Sequence, residues 1–298
     1  MKLVTYKKHE PRLGFLLNEY IVDMNSAWVL TAGRRPFPGD MAGFLAEGEE
    51  ILGEARQLEA EVALMGERIK ELSVPLARAE LLPPVLNPGK ILCIGLNYVD
   101  HAREARLPIP KEPIVFGKYA NSAVGSGHPI RIPPVTKEVD YEAELAVVIG
   151  KRAYRVPREK ALEYAAGYMN FNDVSARDLQ RLDAQWMKGK FLDTFAPMGP
   201  WLVTADEVEN PGDLDIELRL NGRVMQSSST KNLIFSVDYL ISYLSHLLTL
   251  EPGDVIATGT PSGVGFSRKP PVYLQPGHVV EVEIEGLGTL RSPVEAEK

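Results

Sequence analysis

The chain has 298 residues, a formal net charge of −7, 45% apolar and 24% charged residues, and one cysteine. That composition excludes a disordered chain, and an acidic balance argues against a sequence-independent nucleic-acid binder, which carries a basic stripe. The lone Cys93, in the apolar run ILCIG, excludes an internal disulfide and predicts a small core residue in a reducing compartment.

The N-terminal MKLVTYKKHEPR has no apolar h-region, so no signal peptide is expected and the predicted location is cytoplasmic. KLVTYKK and RLGFLLNEYIVDM predict two strands, and a helical stretch follows from Asp40 to Leu72 with Met41, Phe44, Leu45, Ile51, Leu52, Leu58, Val62 and Ile69 as its apolar points. Residues 1–75 are therefore expected to form a small α/β N-terminal domain. The segment SVPLARAELLPPVLNPG has four prolines and little periodicity, which predicts a linker over 76–89 or an ordered wrap-around segment. From Lys90 to the end (90–298) strands dominate, with helices expected near 99–106, 158–166, 176–187 and 236–249. Asn221-Gly222 between DIELRL and RVMQ signals a type I′ hairpin, and VEVEIEG alternates with Val280, Val282 and Ile284 inward. NLIFSVDYLISYLSHLLTL carries Asp238 and His246 and keeps helical apolar spacing, which predicts an amphipathic helix on a core and no membrane span. The fold class expected is α+β, mainly β; there is no GxGxxG and no regular βαβ alternation.

The stretch EVDYEAELAVVIG puts Asp140, Glu142 and Glu144 on one side of a strand, just before a run buried on both faces. Such acids are a solvated strand end, partners of Arg and Lys, or ligands of a divalent cation. Asp173 in GYMNFNDVSARDLQ is a candidate third hard donor or a turn acid, with Ser175 able to cap the helix that follows and Asp178 three residues on. Three carboxylates on an octahedral ion leave about three positions open, the mark of a catalytic site. Arg177, Gln180 and Arg181 share a helix face, either solvated or clamping an anionic substrate, and Lys190 is a loop lysine or a further cation nearby. In GLNYVDHAREARLPIP, Asp100 can cap a short helix that Pro108 ends; His101 and Glu104 at i and i+3 are then a surface pair, or a general base oriented by a carboxylate on a mobile lid. VIATGTPSGVGF is a turn or a loop that binds a substrate carboxylate through backbone N–H groups and Thr260; it lacks the ending of a phosphate loop. The five histidines show no HExxH pattern.

Taken in order, GLNYVDHARE, VDYEAELAVVIGKR, GYMNFNDVSARDLQ, KGKFLDTFAPMGP, NGRVMQ and GDVIATGTPSGVG resemble the fumarylacetoacetate hydrolase family, nearest its acylpyruvate hydrolase and oxaloacetate decarboxylase branch. The resemblance implies a mixed β-sheet roll with few helices in a catalytic domain over 90–298, assembled as a homodimer. It implies Glu142, Glu144 and Asp173 as ligands of Mg²⁺ or Mn²⁺, Lys190 as active-site lysine, Arg177, Gln180 and Thr260 as substrate contacts, and His101 with Glu104 as a catalytic lid pair. Asp140 matches no family ligand. The activity implied is metal-dependent hydrolysis of a C–C bond in a β-diketo or 2-oxo acid of the acylpyruvate kind. Decarboxylation of an oxaloacetate-type acid and isomerisation or hydration of unsaturated 2-oxo diacids are the alternatives. A structural ion in a non-enzymatic scaffold is the reading from another class. The partner expected is a small-molecule 2-oxo acid, with no nucleic acid and no membrane.

Overall fold

The computed structural model describes residues 1–31, 36–182 and 184–297. Its centre is the strand Ala143–Ile149, buried along its whole length. The strand is apolar throughout because both of its faces are covered: Leu145, Val147 and Ile149 enter one hydrophobic core, while Ala146 and Val148 enter a second. Its neighbours are Ala165–Asn172 on one side and Val255–Ala257 on the other, both antiparallel to it.

The large sheet runs in the order Ser73–Pro75, Tyr20–Asp23, Pro11–Leu17, Lys2–Lys7, Ala196–Thr204, Ala165–Asn172, Ala143–Ile149, Val255–Ala257, Ile91–Gly95, Ile114–Lys118. The N-terminal strands thus extend the central sheet, joined to it where Leu3 pairs with Leu202. Residues 73–89 are an ordered wrap: Val74 pairs with Ile21, Leu81 with Tyr6, and the Thr5 hydroxyl donates to the Pro84 carbonyl at 2.7 Å. One continuous sheet therefore crosses the expected boundary between 1–75 and 90–298.

The helical stretch expected from Asp40 to Leu72 is present in three pieces, Met41–Ala46, Glu49–Ala63 and a 3₁₀ turn Gly66–Glu71. The first break is at Gly48, whose φ of +81° is open to glycine. Phe44, Leu45, Ile51, Leu58 and Val62 then pack into the second core beside Met169, Phe171 and Leu202.

A second sheet orders Arg223–Ser229, Asp215–Leu220, Val279–Ile284, Gly288–Ala296 and Ile130–Ile132. Asn221 and Gly222 both have positive φ, 51° and 77°, as a type I′ turn requires. Val280, Val282 and Ile284 are buried. The amphipathic helix spans Val237–Leu247 and sets Leu240, Ile241 and Leu244 in the first core; among the described residues no helix is long and apolar enough to cross a membrane.

Two helix expectations are corrected. Residues Arg158–Tyr164 form a 3₁₀ helix, and the segment expected to be helical over 176–187 is α-helical only at Arg177–Gln180, with a 3₁₀ turn at Trp186–Gly189. The chain doubles back tightly here, so that a Cβ on Gly189 would lie 2.5 Å from the Ala176 carbonyl oxygen. Asp183, within that segment, lies outside the described residues.

Candidate metal centre and lid

The register of the two central strands assembles the acids. Ala143 pairs with Asn172, so Glu142 and Asp173 leave the sheet side by side, and the Asp173 N–H donates to the Glu142 carbonyl at 2.9 Å. Glu144, two residues from Glu142, falls on the same face. Oxygens of Glu142, Glu144 and Asp173 all lie within 4.8 Å of one another, and all three side chains are buried.

Cations surround two of these acids. Lys190 Nζ donates to Asp173 Oδ2 at 2.6 Å and to Glu142 Oε2 at 2.8 Å. Arg177 Nη2 donates to Glu142 Oε1. Burial alone would raise the Glu142 carboxyl, but Arg177 and Lys190 hold it well below the usual carboxylate range. Glu144 differs: its carboxylate accepts the Gly259 N–H at 2.9 Å, and burial, followed by the charges of Asp173 and Glu142, pushes its carboxyl up. A buried acid driven upward by two like charges is the condition that a bound cation relieves, and an all-oxygen donor set suits a hard divalent ion. The residues present fit such an ion.

Asp140, on the same sequence face, is not part of this cluster. It sits in the separate strand Val139–Asp140 and accepts four hydrogen bonds, from the N–H groups of Tyr141 (2.8 Å), Gly265 (2.7 Å) and Phe266 (3.0 Å) and from Arg177 Nε (2.9 Å). Arg177 is thus largely committed to the protein: Nε to Asp140, Nη2 to Glu142, Nη1 to Gln180 at 3.0 Å, with its guanidinium over the Phe266 ring at 4.4 Å. Three of its five N–H groups are engaged in this way.

Lys118 is the member of the centre that the sequence did not signal. Its buried ammonium donates to the carbonyls of Lys190 (2.6 Å), Phe195 (2.7 Å) and Val174 (3.0 Å), and it pairs with Asp173 Oδ1 at 2.7 Å, off the hydrogen-bond direction. Burial pushes this ammonium down and Asp173 opposes the shift. A lysine closing an apolar strand is an ordinary pattern, so only its distant partners reveal it.

His101, Glu142, Glu144, Asp173, Arg177, Gln180, Lys190 and Thr260 line one cavity of about 390 Å³, whose other walls include Ile94, Leu107, Ile114, Phe116, Trp186 and Phe266. His101 and Glu104 stand on the helix Val99–Glu104, with His101 Nδ1 3.3 Å from Glu104 Oε2. Glu104 also accepts the Gly263 N–H at 3.0 Å. Burial would raise its carboxyl; the bonds to His101 and Gly263 outweigh burial and lower it. Thr260 Oγ1 accepts from Gln226 Nε2 at 2.8 Å, while Gln226 Oε1 accepts the Ala143 N–H, tying the loop to the central strand.

Two cap assignments are corrected. Asp100 lies in the first turn of its helix, where its Oδ1 accepts the His101 N–H, and Tyr98 holds the N-cap position. The Ser175 hydroxyl donates to the Asp173 carbonyl at 2.8 Å, and the cap position of the next helix falls to Ala176.

Residues 90–295 match the family model described as fumarylacetoacetate (FAA) hydrolase C-terminal. The chain is 43% identical to the oxaloacetate tautomerase fahd2, mitochondrial, of Xenopus laevis, over 99% of this chain and 90% of the relative. The structure of fumarylacetoacetate hydrolase from psychrophilic Exiguobacterium antarcticum is similar with a TM-score of 0.82 at 35% identity, covering 100% of both chains. Maleylpyruvate hydrolase from Sphingobium sp. SYK-6, in complex with manganese (II) ion and pyruvate, has a TM-score of 0.79 at 29% identity, again over 100% of both chains. This chain is an enzyme of the fumarylacetoacetate hydrolase family.

Proposed function

We propose that the enzyme binds a 2-oxo acid with a divalent cation, Mg²⁺ or Mn²⁺, and moves a proton at the carbon beside the keto group, with keto–enol interconversion of oxaloacetate as its first reaction. The observation that carries this reading is the shared cavity: a buried carboxylate triad and a carboxylate-backed imidazole face the same space. Glu142, Glu144 and Asp173 would hold the ion. When bound, it would act as a Lewis acid that offsets the negative charge growing on the keto oxygen.

The chain's own groups do the rest. With the His101 proton on Nδ1, 3.3 Å from Glu104 Oε2, that carboxylate accepts it and Nε2 is the basic nitrogen. Nε2 takes the proton from C3 as that C–H bond breaks, and returns it to the keto oxygen, where the O–H bond of the enol forms. Lys190, with Gln180, Arg177 and Thr260, orients the substrate oxygens, and apolar side chains form the facing walls.

The motifs alone put hydrolysis of an acylpyruvate C–C bond first. Tautomerisation leads here because it needs only the proton shuttle, and because a relative matched along 99% of this chain is named for it. Hydrolysis stays the second reading: a 390 Å³ cavity has room for an acyl group, and a structural neighbour is a maleylpyruvate hydrolase. A homodimer and a cytoplasmic location belong to the proposal too, although the Xenopus laevis relative is named as mitochondrial.

The test is the rate of enol-to-keto conversion of oxaloacetate, followed by the loss of enol absorbance, alongside pyruvate release from acetylpyruvate and oxaloacetate. Each is measured after chelation and again after Mg²⁺ or Mn²⁺ is restored. Metal-restored tautomerisation supports the first reading, and metal-restored cleavage of acetylpyruvate alone moves the assignment to the second. Unfolding on chelation, with no activity regained, would make the ion structural and overturn both.

A further inference from the structure

The helix Val99–Glu104 forms one wall of the cavity through His101, and the turn after it adds Leu107. Its start is anchored, since the N-cap Tyr98 is buried and bridges Leu233, but the helix beyond that end has little apolar surface to hold it. Its buried residues are His101 and Ala102, and Leu107 and Ile109 beyond it are 53% and 55% exposed. Its C-terminus closes locally: Arg106 takes a φ of +55°, with Leu107 N–H on the Ala102 carbonyl (3.0 Å) and Arg106 N–H on that of Arg103 (3.1 Å). That motif ends the helix without docking it.

Asn97, bonded to Phe235 and the Thr258 carbonyl, fixes the chain just before the helix, and the helix itself is docked by side chains that reach across. Asp100 Oδ2 accepts the Ser228 hydroxyl at 2.9 Å and lies 3.4 Å from the Ser262 hydroxyl, while Oδ1 accepts the His101 N–H at 2.8 Å. Ser228 belongs to the strand Arg223–Ser229. Ser262 belongs to the loop whose Gly259 N–H bonds Glu144 and whose Thr260 lines the cavity. One carboxylate therefore joins the helix, a strand and the loop beside the acidic triad. Glu104, bonded to Gly263 of the same loop, closes the opposite end.

We propose that Asp100 is a positioning residue: through Ser228 and Ser262 it latches the helix Val99–Glu104 shut, which sets His101 against the carboxylate triad, and breaking the latch opens the cavity. The kinetic half of the proposal rests on the function given above; the opening itself does not. Hydrogen exchange of residues 96–107 in the full chain reads the latch directly. Asp100→Ala and the double variant S228A/S262A should each speed exchange there by about ten- to a hundredfold, the range for loss of a charge-assisted hydrogen bond. Mn²⁺ affinity should stay within about twofold of the parent, since neither change touches the triad. The kcat for oxaloacetate tautomerisation should fall by about tenfold or more in both variants. Asp100→Asn keeps an acceptor and should recover most of the protection and the rate.

Exchange unchanged in both the alanine and the double-serine variants overturns the latch. Faster exchange with an unaltered kcat overturns the positioning role. If Asp100→Ala fails to fold, the serine pair decides alone. If the parent protein turns over neither oxaloacetate nor acetylpyruvate, the proposed function fails, while faster exchange in the variants still supports the latch.

Discussion

The acidic centre and the lid helix, neighbours across one cavity, are built on opposite principles. At the centre almost every charged group is tied more than once: Lys118 to three carbonyls and an acid, Lys190 to two acids, and Arg177 to two acids and an amide. Low dielectric strengthens each tie, and a group left unpaired there is costly, so the arrangement is rigid. The lid helix has six residues, two of them buried, and a few polar bonds to other segments. The contrast teaches a division of labour under the proposed function: the carboxylates that would hold the ion are locked by the sheet, and the imidazole that would carry the proton sits on the more lightly tied helix.

That contrast can be broken from its rigid side. Asp173→Ala should abolish Mn²⁺ binding and lower turnover by about a thousandfold or more, since removing one of the three proposed ligands leaves the ion under-coordinated; calorimetric titration with Mn²⁺ and the rate of oxaloacetate tautomerisation check it. A fully active Asp173→Ala protein would sink the metal assignment. On the lid side, His101→Ala should cost about 10²–10⁴-fold in kcat with Mn²⁺ affinity unchanged, the cost of losing a general base. Steady-state rates beside the same titration separate the two effects.

Lys118→Met tests rigidity itself. It leaves the carbonyls of Val174, Lys190 and Phe195 and one oxygen of Asp173 without their cation, and should destabilise by about 3–5 kcal/mol, as breaking a buried pair does. The check is the denaturation midpoint of the metal-free protein.

The smallest effect is expected away from the cavity. Asp23 accepts the Tyr6 hydroxyl at 2.7 Å and the Ser26 N–H at 2.8 Å. Burial would raise its carboxyl, but the bonds from Ser26 and Tyr6 lower it below the ordinary value. A depressed carboxyl contributes stability that is present above its unfolded pKa, near ~3.9, and is lost as pH falls through its lower folded value. Asp23→Asn should therefore cost about 1–3 kcal/mol at neutral pH and flatten the acid limb of stability, read by denaturant titrations at several pH values.

Some of this was readable from the chain before folding. The two-residue spacing of Glu142 and Glu144 ahead of a run buried on both faces pointed to charges facing inward, and Asn221-Gly222 marked its hairpin. Both signals are local, set by side-chain alternation and by backbone conformations that few residues adopt. Asp140 shares that alternation yet left the cluster, because the loop at Gly265 and Phe266 returns to claim it. Arg177 read as part of a solvated face or as an anion clamp, and its commitment to Asp140 and Glu142 followed only once two strands met.

The sequence by itself determined which side chains share a face and which segments are buried, since period and apolar content act within a few residues. Tertiary structure alone decided which charge meets which. Lys118 finds its carbonyls at residues 174, 190 and 195, and Asp100 finds its hydroxyls at residues 228 and 262. Such pairings depend on strand register and on where distant loops return, and no local pattern along the chain encodes either.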